Sequence, residues 1–366
     1  YGTDAITYQV FPRREVNTFT SLYLRNAGFP DNQSTFFREG LIQSLVLNKI
    51  DLDGQAYRPA VVFLNGAYWG IYNIRDKINA NYIGINHNLN PDDIDLLEYD
   101  GSHRVGIMEG DDGNYNQFYD FIGSNDLSLI ENYEHIASWM DIEEYIDYQI
   151  CEIYVDNIIW LDQNVRMWRE RRENRKWRWI LFDTDYGFGM PNQFSSGYTN
   201  NTLEFATNST NGQMAPPWAT QIFRKLLAND SFKTKFIQKF SVYLNTIFYP
   251  DSVLSTITNL QNTISPEMNR HISRWRNDNY GVPIQNYGEW LSNVNVMKSF
   301  AAYRPQYVRQ HLQDFFGLNG TIFLTLNINN PDMGKVKVNG KAGINFCLLY
   351  TSPSPRDWIW HLVCRL

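Results

Sequence analysis

One stretch constrains this chain more than any other. Trp177-Arg-Trp-Ile-Leu-Phe182 is an apolar run of strand length. It leads straight into Asp183-Thr-Asp185 and then Tyr-Gly-Phe-Gly189. A short apolar run of this kind reads as a strand buried on both faces. Two carboxylates one residue apart at its C-terminal end, followed by glycines, suit a Mg²⁺ site. Mg²⁺ takes oxygen ligands, usually one or two carboxylates plus the oxygens of substrate phosphates. An Asp pair at a strand end also serves as a turn or cap, so the motif needs support from the rest of the chain.

The elements around it predict an α+β fold. Residues 1–100 read as a sheet with one inserted helix. Leu22-Tyr-Leu24, Ala60-Val-Val-Phe-Leu64 and Trp69-Gly-Ile-Tyr-Asn-Ile74 are strands, and Asn65-Gly66 is a hairpin turn. Helical spacing runs from Phe36 to Leu47. Residues 101–170 read as helical, with Asp141 and Glu144 spaced as a capping box. Residues 192–215 read as a long loop and 217–316 as amphipathic helices. From Gly317 the pattern changes to strands, the start of a β module (318–346) that does not complete. Residues 347–366 lose every earlier pattern and read as a non-native tail. Tyr1 opens the chain inside a strand-like stretch, so the sequence reads as a piece of a longer protein.

Composition excludes several classes. At 43% apolar and 19% charged residues the chain has a globular core. The net charge is −7 and no Lys/Arg stripe occurs, so nucleic acid is not an expected partner. The one basic cluster, Arg166 to Arg178, is broken by Glu170 and Glu173 and reads as a solvated turn. No apolar run approaches the roughly 20 residues of a membrane helix. Cys151, Cys347 and Cys364 form neither a disulfide framework nor a zinc pattern. The histidines are too scattered for a metal site, and His271 reads as a structural contact.

Asp185-Tyr-Gly187 resembles the Asp-Phe-Gly that holds Mg²⁺ in protein kinases. Tyr154-Val-Asp-Asn-Ile-Ile-Trp-Leu-Asp-Gln-Asn-Val-Arg-Met-Trp168 followed by Lys176 to Gly189 resembles the CotH family of atypical kinases. Collinear blocks extend the resemblance over residues 4–317. They include Leu24-Arg-Asn26, Phe37-Arg-Glu-Gly40, Asn65-Gly-Ala-Tyr-Trp-Gly70, Ile74-Arg-Asp-Lys77, Pro266-Glu-Met268 with His271, and Phe300-Ala-Ala-Tyr-Arg-Pro305.

The resemblance implies a two-lobed kinase-like fold, with a β-rich lobe to about residue 100 and a helical lobe to 317. It implies ATP with Mg²⁺ or Mn²⁺ as cofactors. The expected partner is a protein Ser/Thr acceptor, or the chain itself, outside the cell or on its surface. Asp183 and Asp185 would hold the cation, with Asn164 as a further ligand. Arg75 and Lys77 would contact phosphate, with Asp76 pairing a cation, and Arg38 is a second phosphate contact. Asn65-Gly66 would cover the nucleotide as glycine-rich hairpins do.

One departure stands out. Where the family tends to read Asn-Thr-Asp-Trp, this chain reads Asn157-Ile158-Ile159-Trp160. The expected catalytic Asp falls on Ile159, five residues before Asn164, the spacing of H-R-D-x-x-x-x-N. Isoleucine cannot accept a proton. Asp156 and Asp162 lie three residues to either side, sharing a face with Ile159 if the segment is helical. Three readings follow: a kinase impaired by Ile159; a pseudokinase or surface binding and adhesion module; and a carbohydrate-associated secreted protein, on the strength of the aromatic richness and the trailing β module.

Overall fold

A computed structural model describes residues 5–325 apart from 13, 102–104, 192–194, 211–214 and 279–282, together with short strands further on. The fold begins with a pair of two-residue strands, β1 (Ile6–Thr7) and β2 (Thr18–Phe19). Strand β3 (Leu22–Arg25) follows, then helix α1 (Arg38–Val46), as its spacing predicts. After β4 (Asp53–Gly54) come β5 (Tyr57–Leu64) and β6 (Ala67–Asp76), joined by the Asn65-Gly66 turn. Both turn residues have positive φ, 50° and 81°, which is what Asn-Gly supplies in a tight hairpin. Together β3, β6 and β5 form one antiparallel sheet. Its inner face packs on α1.

Helix α2 (Ala80–His87) is an element the sequence reading did not separate from the strands around it. Asn79 caps it, accepting from Tyr82 N–H. Strands β7 (Ile94–Asp100) and β8 (Val105–Glu109) follow, then α3 (Gly113–Ser124), α4 (Ile130–Trp139) and α5 (Ile142–Val155). Asp141 caps α5 through Glu144 N–H, as the capping-box spacing predicts. Residues 163–170 are not helical: they form β9 (Gln163–Glu170), antiparallel to β10 (Arg178–Leu181). The basic cluster is therefore a hairpin and not merely a solvated turn. Its cations are paired, Arg169 with Asp95, Arg166 with Glu98, and Arg178 with Asp51 and Asp141.

The second sheet runs β4-β10-β9-β7-β8, with β10 buried on both faces. Trp179 and Leu181 join the main core with α5, while Ile180 and Phe182 join Ile83, Leu96 and Trp168 on the far side. This bilateral burial is why Trp177–Phe182 reads as unbroken hydrophobicity. The sheet thus delivers Asp183 and Asp185 at the end of its most deeply held strand.

Helices α6 (Thr202–Thr207), α7 (Gln221–Leu227), α8 (Asp230–Leu244), α9 (Pro250–Trp275) and α10 (Tyr287–Phe316) complete the helical part. Helix α6 interrupts the stretch read as one long loop. Further on, β11 (Gly320–Thr325), β12 (Lys337–Val338), β13 (Lys341–Ala342), β14 (Asn345–Tyr350) and β15 (Leu362–Val363) are the described strands. β11 pairs with β14 along six residues, so β14 runs across position 347. Among the described residues no helix is long and apolar enough to cross a membrane.

Candidate active site

The aspartate pair lies where β10 ends, and the chain turns sharply there: Asp183 has a φ of 53°. Its N–H donates to Glu39 Oε1 at 2.8 Å, which fixes the turn to α1. Glu39 is buried, and its other oxygen accepts from Arg75 Nη1 at 2.6 Å. Burial opposes the charge on Glu39, but Arg75 and Arg25 outweigh it and keep its pKa below the usual range. Gln43, one turn along α1, donates to Leu181 O and accepts from Gln55 N–H. Helix α1 is thus the clamp that sets the end of β10.

Arg25, the last residue of β3, reaches both aspartates through one nitrogen. Nη2 is 2.9 Å from Asp183 Oδ1 and 3.0 Å from Asp185 Oδ2. Asp183 is 30% exposed at its side chain and Asp185 only 2%. The second oxygen of Asp185, Oδ1, is buried with no hydrogen-bond partner in the protein. Burial, with Glu39 nearby, pushes the Asp185 carboxyl well up, against the pull of Arg25. A buried carboxylate oxygen without a partner is costly, and a bound cation is one way to satisfy it. Among the described residues no three His, Cys, Asp or Glu side chains converge as a metal cage. Two carboxylates are the usual protein share for Mg²⁺ when phosphates supply the rest, so the residues present fit that cation.

The other residues singled out in the sequence fall into two groups. Lys77 has its ammonium 5.9 Å from the centre of the Tyr23 ring. Tyr23 and Arg25 are two apart on β3 and so share a face, which places both cations on one side of the sheet. Asn164, at the start of β9, has a φ of 59° and donates to Ile159 O at 3.4 Å. The loop that holds Ile159 is anchored below by Glu152, which accepts from Asn157 Nδ2, while Asn157 Oδ1 accepts from Ile159 N–H. Burial lifts the Glu152 carboxyl to about 8, which favours its neutral form.

Arg38 and Arg75 are structural, contrary to the expectation of phosphate contacts. Arg38 is wholly buried, paired with Asp31 and donating to Gly187 O and Phe188 O. It shapes the loop after the aspartates from beneath. Arg75 is spent on Glu39, Ala56 O and Gln55 O. Asp76 pairs not with its neighbours but with Arg14. The Asn65-Gly66 turn is also displaced from its expected role. Arg25 pairs across to Asn73, seven residues from Gly66, and at about 3.4 Å per residue the turn sits roughly 24 Å away. Phe63 and Tyr68 beside it meet Arg270 of α9 instead.

Asp156 and Asp162 do not share a helical face with Ile159, because α5 ends at Val155 and residues 157–162 form an irregular loop. Asp156 is the left-handed cap of α5, buried, and accepts from Ser195, Asn200 and Thr202. Arg304 ties the same junction together, donating to Ile153 O, Tyr154 O, Tyr198 O and Asn200 O. Asp162 is half-buried just before β9, its carbonyl accepting from Gly101 N–H. Sequence reasoning missed Arg25, Glu39 and Glu152. Leu24-Arg-Asn26 and Phe37-Arg-Glu-Gly40 contain the first two, but the aspartates they meet lie more than 140 residues away.

A cavity of about 120 Å³ opens beside Asn26, the residue after Arg25. Phe36, Ile71, Tyr72 and Trp275 give it apolar walls, and Asn32 and Gln33 add carboxamides. His271 forms its floor, Nδ1 accepting from Ile71 N–H at 2.9 Å. This matches its expected structural role. Burial pushes its pKa down to about 4. The unfolded chain protonates that ring near pH 6.5 and the fold refuses the proton until about pH 4, so stability falls between those values as pH drops. The loss is about 3 kcal/mol over the window. His271→Gln, which keeps an acceptor for Ile71, is expected to remove that share and leave the share of His311, which burial also pushes down to about 4, as urea unfolding at pH 7 and pH 5 measures.

A larger groove, about 680 Å³ between α5 and α8, holds no part of this site. Its Lys235 and Lys239 are paired with Glu143 and Asp147.

The described residues form a mixed α+β domain with a carboxylate pair, held by Arg25, at the end of a buried strand. The family model described as CotH kinase protein matches residues 6–308, and the chain belongs to that family. A search of curated proteins returned no match.

Proposed function

We propose that this chain binds ATP with Mg²⁺ or Mn²⁺ at Asp183 and Asp185 and transfers the γ-phosphoryl group slowly to a Ser or Thr hydroxyl. The acceptor is another protein or the chain itself, outside the cell or on its surface. The observation that carries the reading is the buried, unpartnered Asp185 Oδ1 at a carboxylate pair already facing Arg25.

The β3-β6-β5 sheet with α1 acts as one lobe and the helices from α3 onward as the other, with the site between them. Asp183 and Asp185 hold the cation, and Asn164 is a further candidate ligand. A divalent cation there neutralises phosphate charge. Arg25 and Lys77 meet phosphate oxygens from the β3 face. The cavity beside Asn26 accepts the base against Phe36, Tyr72 and Trp275. In the transfer, the acceptor oxygen bonds to the γ-phosphorus, the bond to the β-phosphate oxygen breaks, and the hydroxyl proton must leave. Ile159 cannot take that proton. Asp162 is the carboxylate nearest Asn164 in the chain, and water takes the proton where Asp162 does not reach. Transfer is slow for that reason.

A second reading, nucleotide binding without transfer, is favoured by the commitment of Asp156 to three hydrogen bonds. Both readings require the cation site. ATP with Mg²⁺ is expected to raise the unfolding temperature of the parent chain, because a ligand of the native state stabilises it. The Asp183→Ala/Asp185→Ala variant is expected to show no such shift. Equal shifts in both chains, or equal shifts with EDTA in place of Mg²⁺, contradict the site.

A further inference from the structure

We propose that Arg25 is a built-in counter-cation that competes with the divalent ion for Asp183 and Asp185, so that metal and nucleotide bind together rather than independently. This rests on the cation site proposed above.

One Arg25 nitrogen spans the two carboxylates at 2.9 and 3.0 Å, and Nη1 lies 3.8 Å from Glu39 Oε2. The guanidinium therefore stands where a cation shared by the two aspartates would be held. The fold makes room for it. Gly28 has a φ of 75°, and a Cβ there would lie 2.6 Å from Asp185 Oδ2 and closer still to the Arg25 guanidinium. Any larger residue at position 28 would push Arg25 off the pair. Glu39 does not offer an alternative seat, because Arg75 already neutralises it at 2.6 Å.

Arg25 is also able to leave. Its side chain is 32% exposed and sits at the end of a strand, with Asn26 and the cavity beside it. A divalent ion arriving alone meets a fixed positive charge a few ångströms away, which lowers its affinity. A polyphosphate brings negative oxygens that accept the guanidinium, a fork suited to phosphate. Arg25 then leaves the carboxylates as the cation takes them. Such coupling is reciprocal: each ligand raises the affinity of the other by the same factor.

The test uses the full chain and two variants, Arg25→Gln and Arg25→Lys. Mn²⁺ alone is titrated and the free ion read by electron paramagnetic resonance. Trinitrophenyl-ATP is titrated by fluorescence in saturating Mn²⁺. Arg25→Gln is expected to bind Mn²⁺ alone about tenfold more tightly than the parent and trinitrophenyl-ATP about tenfold more weakly. Arg25→Lys keeps the charge and is expected to stay near the parent for Mn²⁺. Unchanged or weaker Mn²⁺ binding by Arg25→Gln overturns the role of Arg25 while leaving the cation site standing. Absence of Mn²⁺ and nucleotide binding in all three chains overturns the cation site as well.

Discussion

Asp185→Asn is expected to abolish cation-dependent nucleotide binding while leaving the fold as stable as before, or more so. The side chain is nearly isosteric and stays in a site that is almost closed to solvent. What changes is the charge. Burial and Glu39 both oppose ionisation of Asp185, and only Arg25 favours it strongly. A residue whose ionised form is disfavoured by its surroundings is retained for what it binds and not for what it packs against. Nucleotide affinity in Mg²⁺ should fall by about 100-fold or more, since even groups that merely orient metal ligands cost 10–100-fold when removed. Stability in urea should hold or rise by about 1 kcal/mol. A variant that unfolds more easily and binds nucleotide normally would make Asp185 a structural cap.

Ile159→Asp is expected to raise the transfer rate by about 100-fold, the low end of what a positioned general base contributes. The backbone is already arranged for it. Ile159 N–H is held by Asn157 Oδ1, its carbonyl accepts from Asn164 Nδ2, and the loop rests on Glu152 through Asn157. The side chain is half-buried, so a carboxylate there keeps contact with solvent and an ordinary charge. Ile159→Asn, similar in shape but unable to accept the proton, is the control and should show no gain. Single-turnover transfer in excess enzyme measures both. Equal rates for the Asp and Asn variants would place the base elsewhere, with Asp162 the first to examine.

Local signals made much of the frame legible. Asn65-Gly66 and the Asp141 cap act through neighbours a few residues away and form as read, and the apolar run into Asp183 forms the expected buried strand. Strand β9 was harder. Val165, Met167 and Trp168 are buried while Arg166 and Arg169 are half-exposed, but the density of arginines read as a turn. Helix α2 has little amphipathic pattern, since Ala80, Tyr82, Ile83 and Gly84 face inward together.

The site was legible in its carboxylates more than in its arginines. The sequence offers Arg38 and Arg75 as phosphate contacts because spacing alone does not show that Asp31 and Glu39 hold them inside the fold. Arg25, which does face the aspartates, stands at the end of a short strand 158 residues from Asp183. Only the pairing of β3 with β6 and the packing of α1 bring the two together.

The most direct measurement is the intact mass of the full chain after incubation with ATP and Mg²⁺, beside the Asp183→Ala/Asp185→Ala variant. The parent is expected to gain phosphate slowly and the variant none. Phosphate on neither chain, or on both alike, would contradict a phosphoryl transfer centred on Asp183 and Asp185.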